Sequence, residues 1–290
     1  MINFTANISW MKLYAINTGH FKLDGGAMFG VVPKSIWHHL NPADENNMCS
    51  WAMRCLLIED GNRLILIDTG IGNKQDDKFF SYYYMHGNDS LDKSLAQHGF
   101  HRDDITDVFL THLHFDHCGG VIEIDKSTGN YVPAFKNAVF WSNQEHWTAA
   151  TKPNPREKAS FLKDNILPIQ ESGQLKFIEK EGQWTDDIFL YYTYGHTDAM
   201  MIPRIKYKDQ EIIYMADLTA SYHHLKIPYV MGYDIRPLYV MEEKQKVLEY
   251  AAKNKAILFF EHDPVIECTI PILTERGIIG GDKLKLSELL

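Results

Sequence analysis

The chain has 290 residues, 45% hydrophobic and 23% charged, an ordinary globular balance that excludes a disordered chain. Its formal charge of −9 and pI near 5.8 exclude nucleic acid as the main partner, because phosphate binding needs a positive field. The 14 histidines are in excess, and their positions decide whether that excess means metal.

In chain order, the opening segment lacks a basic stretch, a long apolar stretch and a small-residue cleavage site, so no signal peptide is expected. No apolar window reaches the roughly 18 residues of a membrane span. The four cysteines (Cys49, Cys55, Cys118 and Cys268) form no C-x-x-C pair, which predicts reduced thiols in a cytoplasmic enzyme. Even Cys118, inside a histidine cluster, is expected to pack rather than ligate. Without repeats, low-complexity tracts or Gly/Ser linkers, residues 1–290 read as a single domain.

Apolar runs of β type occupy Arg63–Ile67, Asp107–Leu110, Ile188–Tyr192, Glu211–Met215 and Ala256–Phe260. A capping-box pattern from Ser142 to Glu145 opens a helix carrying Trp147. A second helix is expected from Pro155 to about Leu167, stopped by Pro168, and a third from Met241 to about Asn254. Strands mixed with helices predict a layered α/β or α+β fold.

Each run stops at or just before a carboxylate or histidine: Asp68, His112, His196, Asp217 and His262. Strand ends from distant parts of the chain can meet on one rim of a sheet assembly. The densest motif, His112-x-His114-x-Asp116-His117, follows the second run. Imidazole nitrogen and carboxylate oxygen suit Zn²⁺, Mn²⁺, Fe or Co, and the lack of cysteine ligands argues against a closed structural zinc site. Gly119-Gly120 is expected to let the backbone turn tightly afterwards.

This cluster, followed by His196, Asp217 and His262 and preceded by Asp68-Thr69-Gly70, resembles the metallo-β-lactamase superfamily from about residue 50 to 265. Within it, His-Leu-His-Phe-Asp-His-Cys-Gly-Gly looks like the N-acyl-homoserine lactonases. The resemblance implies an α+β fold, a four-layer αββα sandwich, with two Zn²⁺ at one edge or other divalent ions such as Mn, Co or Fe. His112, His114 and His196 would bind one ion. Asp116, His117 and His262 would bind the other, and Asp217 would bridge them. Asp68 would orient a ligand histidine, or else merely cap a turn. A metal-bridging hydroxide would open the lactone ring of a small-molecule acyl-lactone, with Asp116 also a candidate proton shuttle.

Two departures from the lactonase pattern concern the pocket. The run after the third histidine is Gly195-His196-Thr197-Asp198-Ala199-Met200 in place of Gly-His-Thr-Pro-Gly-His. The position three residues after the bridging Asp, often Tyr in lactonases, is Ala220. The nearest polar candidates are Tyr222, His223 and His224, and Tyr222 or His224 is expected to hydrogen-bond the substrate. Candidates for an acyl-chain pocket include Trp10, Met28, Trp37 and the Phe79–Met85 run, with segments 1–45 and 125–180 as walls. Esterase, thioesterase or phosphotriesterase activity, iron chemistry on the same fold and a pure binding module are the alternatives. The resemblance also admits a homodimer.

Overall fold

The computed structural model describes residues 11–289. Trp10, with the rest of residues 1–10, lies outside them.

The first sheet has the order β1-β2-β3-β4-β7-β8. Strands β1 (Lys12–Asp24), β2 (Met48–Asp60) and β3 (Arg63–Ile67) run antiparallel to one another in turn. Beyond them β4 (Asp107–Phe109), β7 (Val139–Asn143) and β8 (Leu175–Ile178) run parallel, with a hairpin of β5 (Ile122–Ile124) and β6 (Tyr131–Pro133) set apart. The second sheet holds β9 (Gly182–Gln183), β10 (Ile188–Thr193), β11 (Met200–Tyr207), β12 (Gln210–Tyr214), β13 (Ile257–Phe259) and β14 (Cys268–Thr269), in reverse order. A last hairpin pairs β15 (Pro271–Thr274) with β16 (Gly277–Gly280).

Period-two alternation sorts each strand's side chains between two faces. On β3, Ile65 and Ile67 enter the core between the sheets, where Ile202, Ile212 and Leu258 meet them. Leu64 and Leu66 belong to a separate core with Leu95, Ile166 and Ile169 of the outer helices Leu91–Gln97 and Lys163–Glu171. The long helix Pro237–Asn254 buries Val247, Leu248 and Ala251 with the second sheet. The layers are therefore helix, sheet, sheet, helix, the four-layer αββα arrangement.

Three helix boundaries differ from the sequence-based expectation. The second helix spans Lys163–Glu171 and continues through Pro168, because Ile166, Pro168 and Ile169 are buried together and that burial outweighs one lost backbone bond. The third begins at Pro237, whose fixed φ suits a helix's first turn. The helix Gln144–Thr151 is capped by Asn143, which accepts from His146 N at 2.8 Å, rather than by Ser142.

Candidate metal centre

The ends of β3, β4, β12 and β13 and the β10–β11 turn deliver the polar residues to one rim. Just past β3, Asp68 adopts a left-handed backbone, φ 58°. That conformation turns its buried carboxylate onto the next strand end. There it accepts from Thr111 N at 2.8 Å and Thr111 Oγ1 at 2.7 Å, and it meets His117 Nδ1 at 3.1 Å. His146 Nε2 accepts from Leu113 N at 2.8 Å and so fixes the turn between His112 and His114. Asp116 and His117 ride on the single helical turn Phe115–Cys118.

Gly119 has an ordinary helical φ of −61°, so conformational freedom is not what it supplies. A Cβ there would lie 2.1 Å from Ile71 O, and one at Gly120 would lie 2.4 Å from Thr69 O. The pair lets the motif press against the Asp68-Thr69-Gly70 turn, which corrects the expectation of a tight turn.

Two groups of side chains converge: His112, His114, His196 and Asp217 in one, and Asp116, His117 and His262 in the other. His114 Nδ1 lies 3.1 Å from both His112 Nε2 and His196 Nε2. His117 Nε2 and His262 Nε2 are also 3.1 Å apart. Asp217 stands between the groups, Oδ2 3.1 Å from His196 Nε2 and Oδ1 3.1 Å from His262 Nε2. Yet Oδ1 is buried without an aligned hydrogen bond. Clustered imidazole nitrogens and an orphaned carboxylate oxygen fit divalent cations, with a nitrogen and oxygen donor set.

Behind the cluster, the far ring nitrogens have partners of their own. His196 Nδ1 meets Asp234 Oδ1 at 2.9 Å, and His262 Nδ1 donates to Ala52 O at 2.8 Å. His117 Nδ1 faces Glu261 Oε2 at 3.0 Å as well as Asp68. Such contacts fix ring orientation and tautomer. Sequence reading missed Asp234 and Glu261. Only Glu261, immediately before His262, had a signal in its position.

The local electrostatics favour positive charge. Burial, reinforced by His117 and His114, holds His112 well below the ordinary histidine pKa. Burial also opposes charge on His196 and His262, but Asp217 and other carboxylates raise them to about 10 and about 9. Asp217 is held well below the carboxylate range, its burial overcome by His262, His117 and His196. Protons or a cation must balance this field, and a cation would do so by taking the nitrogen lone pairs that protons would otherwise occupy.

A cavity of about 380 Å³ opens onto His114, Asp116, His196, Asp217 and His262. Leu23, Met28, Tyr83, Phe115, Met231 and Tyr233 make much of its wall, with Arg156, Glu157 and Ser160 on a more polar side. The expected walls at 1–45 and 125–180 thus contribute, and Tyr83 comes from the aromatic run. Trp37 instead stacks on Phe29 in a buried cluster.

Tyr222 and His224 require correction as substrate contacts, since neither lines this cavity. Tyr222 donates its hydroxyl to Gly281 O at 3.1 Å. His224 is buried between Ser221 Oγ at 2.8 Å and Met28 O at 2.9 Å, with its ring stacked on Phe29. Ala220 packs beside Phe29 and Trp51 in that same core. The cavity's tyrosines are Tyr83 and Tyr233, from loops distant in sequence. Cys118 donates to Leu113 O at 3.3 Å, a packing role.

Residues 54–262 match the Metallo-beta-lactamase superfamily, and the chain belongs to it as a metal-dependent hydrolase. Among particular relatives, the N-acyl homoserine lactonase AiiA of Bacillus thuringiensis subsp. kurstaki is 26% identical over 265 residues, 87% of this chain and 93% of AiiA. The solved structure of a probable metal-dependent hydrolase from Staphylococcus aureus superposes with a TM-score of 0.83 at 27% identity, covering 96% of this chain and all of that one. AidC, a dizinc quorum-quenching lactonase solved with a product, gives a TM-score of 0.77 at 23% identity over 95% of each chain, and shares the fold. Among the described residues, no helix is long and apolar enough to cross a membrane.

Proposed function

We propose that this chain is a dinuclear hydrolase that opens the lactone ring of N-acyl-homoserine lactones. One observation carries the reading: Asp217 joins two imidazole groups beside an amphiphilic cavity. AiiA, similar over most of both chains, is such a lactonase, and AidC is a dizinc one.

In this reading His112, His114 and His196 would hold one ion, Asp116, His117 and His262 would hold the other, and Asp217 would serve both. We read the ions as zinc, and the same nitrogen and oxygen donors accept Mn, Co or Fe. When bound, the ions supply Lewis acidity and a water whose pKa falls from 15.7 to about 7 in favourable sites. Ring opening by water would form a C–O bond at the lactone carbonyl carbon and break the ring C–O bond, and the departing oxygen would need a proton. Asp116, on the cavity wall, holds and passes that proton.

The side chains around the site orient the substrate. Tyr83 packs against Phe115 at 4.7 Å between ring centroids, and burial with help from Asp116 pushes its phenol up to about 12. It therefore stays a hydrogen-bond donor at neutral pH. Leu23, Met28 and Met231 receive the acyl chain, where each CH₂ buried adds up to about 0.8 kcal/mol. Four buried free thiols suit a reducing cytoplasm, and the chain acts as one domain.

An esterase, thioesterase or phosphotriesterase would use the same ligands. Metal analysis combined with a panel of lactones, esters, thioesters and phosphotriesters, before and after chelation, separates these readings.

A further inference from the structure

Two imidazoles of one group are backed by carboxylates that arrive on separate loops. Asp234 sits behind His196, and its second oxygen accepts from Met231 N at 2.7 Å. Glu157 sits behind His114, with Oε1 3.5 Å from Nε2. It is only 3% exposed, its Oε1 has no hydrogen-bond partner, and its other oxygen is held by the Asn154 amide. His114 turns Nδ1 to His112 and His196, so with Nδ1 given to an ion the ring hydrogen would sit on Nε2, which faces Glu157 and has no other partner. The Arg156 guanidinium joins the loops by donating to Gly232 O and Asp234 O.

We propose that Glu157 is the positioning residue for His114, matched to Asp234 for His196, and that Arg156 latches together the loops carrying them. The inference rests on the proposed ligand set and deepens it. The ion at His112, His114 and His196 then depends on the cavity wall. The residues behind the other ion do not come from these two loops: Asp68 and Glu261 lie just past strand ends and Ala52 O lies within β2.

The test is a chelator titration of zinc-loaded protein, counting ions released from the parent, Glu157→Ala, Glu157→Gln and Arg156→Ala. In Glu157→Ala, one ion leaves at about 10–100-fold lower chelator concentration, the usual effect of losing an outer partner, and the other is unchanged. Glu157→Gln stays close to the parent, because an amide oxygen in the place of Oε1 can accept from Nε2–H as the carboxylate would. Arg156→Ala releases the same ion early, by a smaller factor. In cobalt-loaded Glu157→Ala, absorption changes at one of the two ions. A merely structural role would lower the melting temperature without separating Gln from Ala.

Parent-like retention of both ions in Glu157→Ala, or equal loss of both, overturns the proposal. Parent-like retention in Arg156→Ala overturns the latch. If Glu157→Ala fails to fold, the remaining variants decide: early release of both ions from Glu157→Gln, or of neither from Arg156→Ala, refutes it. Ion release is read without substrate, so failure here and failure of the lactonase reading are distinct results.

Discussion

Asp217 Oδ1 lies 3.1 Å from His262 Nε2, although the two residues come from different strand ends. The other oxygen of the same carboxylate meets His196, so one side chain faces both imidazole groups. Asp217→Asn keeps the shape and removes the charge. We expect it to weaken metal retention at least about 100-fold and to abolish hydrolysis. Metal content after dialysis, measured beside turnover, checks this, and full activity in the variant would remove Asp217 from the bridging position.

His146 makes the stability of the metal-free protein depend on acid. Burial lowers its pKa to about 4, and in the neutral ring Nδ1 donates to Asp198 O while Nε2 accepts from Leu113 N. Its ordinary value is 6.5, so between about pH 6.5 and 4 the unfolded chain binds more protons and stability is lost as the pH is lowered. The contribution is fully present above 6.5 and amounts to roughly 3 kcal/mol. Denaturant titrations from pH 4 to 7 of the parent and His146→Gln should differ by this slope. Identical slopes would show that His146 titrates normally.

Gly119→Ala tests the close approach behind the motif. The added methyl would lie 2.1 Å from Ile71 O, a backbone atom that cannot swing aside. Overpacking of this kind costs about 1–3 kcal/mol or more, so the melting temperature should drop and metal retention with it. A variant as stable as the parent would mean that the contact is looser.

Tyrosine substitutions separate the cavity from the core. Tyr83→Phe should cut kcat/KM for a lactone roughly tenfold, the worth of about one hydrogen bond in the transition state. Tyr222→Phe should leave kcat/KM unchanged and lose about 1 kcal/mol of stability, since its hydroxyl serves Gly281 O. The reverse pattern would restore Tyr222 as a substrate contact.

The contrast between those two tyrosines marks where sequence reading stops. Asp68, His112, His196, Asp217 and His262 were legible because strand ends are local features, and parallel or antiparallel pairing carries them to one rim. Tyr222 stood close to Asp217 in sequence, yet the turn Tyr222–Leu225 sends its ring towards Gly281. Asp234, Glu157 and Tyr233 sit on loops whose partners are set by tertiary contacts such as those of Arg156, and no periodicity announces them. Pro168 was misread because local helix-breaking chemistry yields to burial. Gly119 was recognised, but its reason is space behind the motif, visible only once Ile71 is in place.

The most direct measurement is ring opening of N-acyl-homoserine lactones of several chain lengths, followed by proton release, with metal-replete protein before and after chelation. The account predicts turnover that depends on acyl length, vanishes on chelation and returns with zinc. No turnover of any lactone by metal-replete protein, or turnover indifferent to chelation, would contradict it.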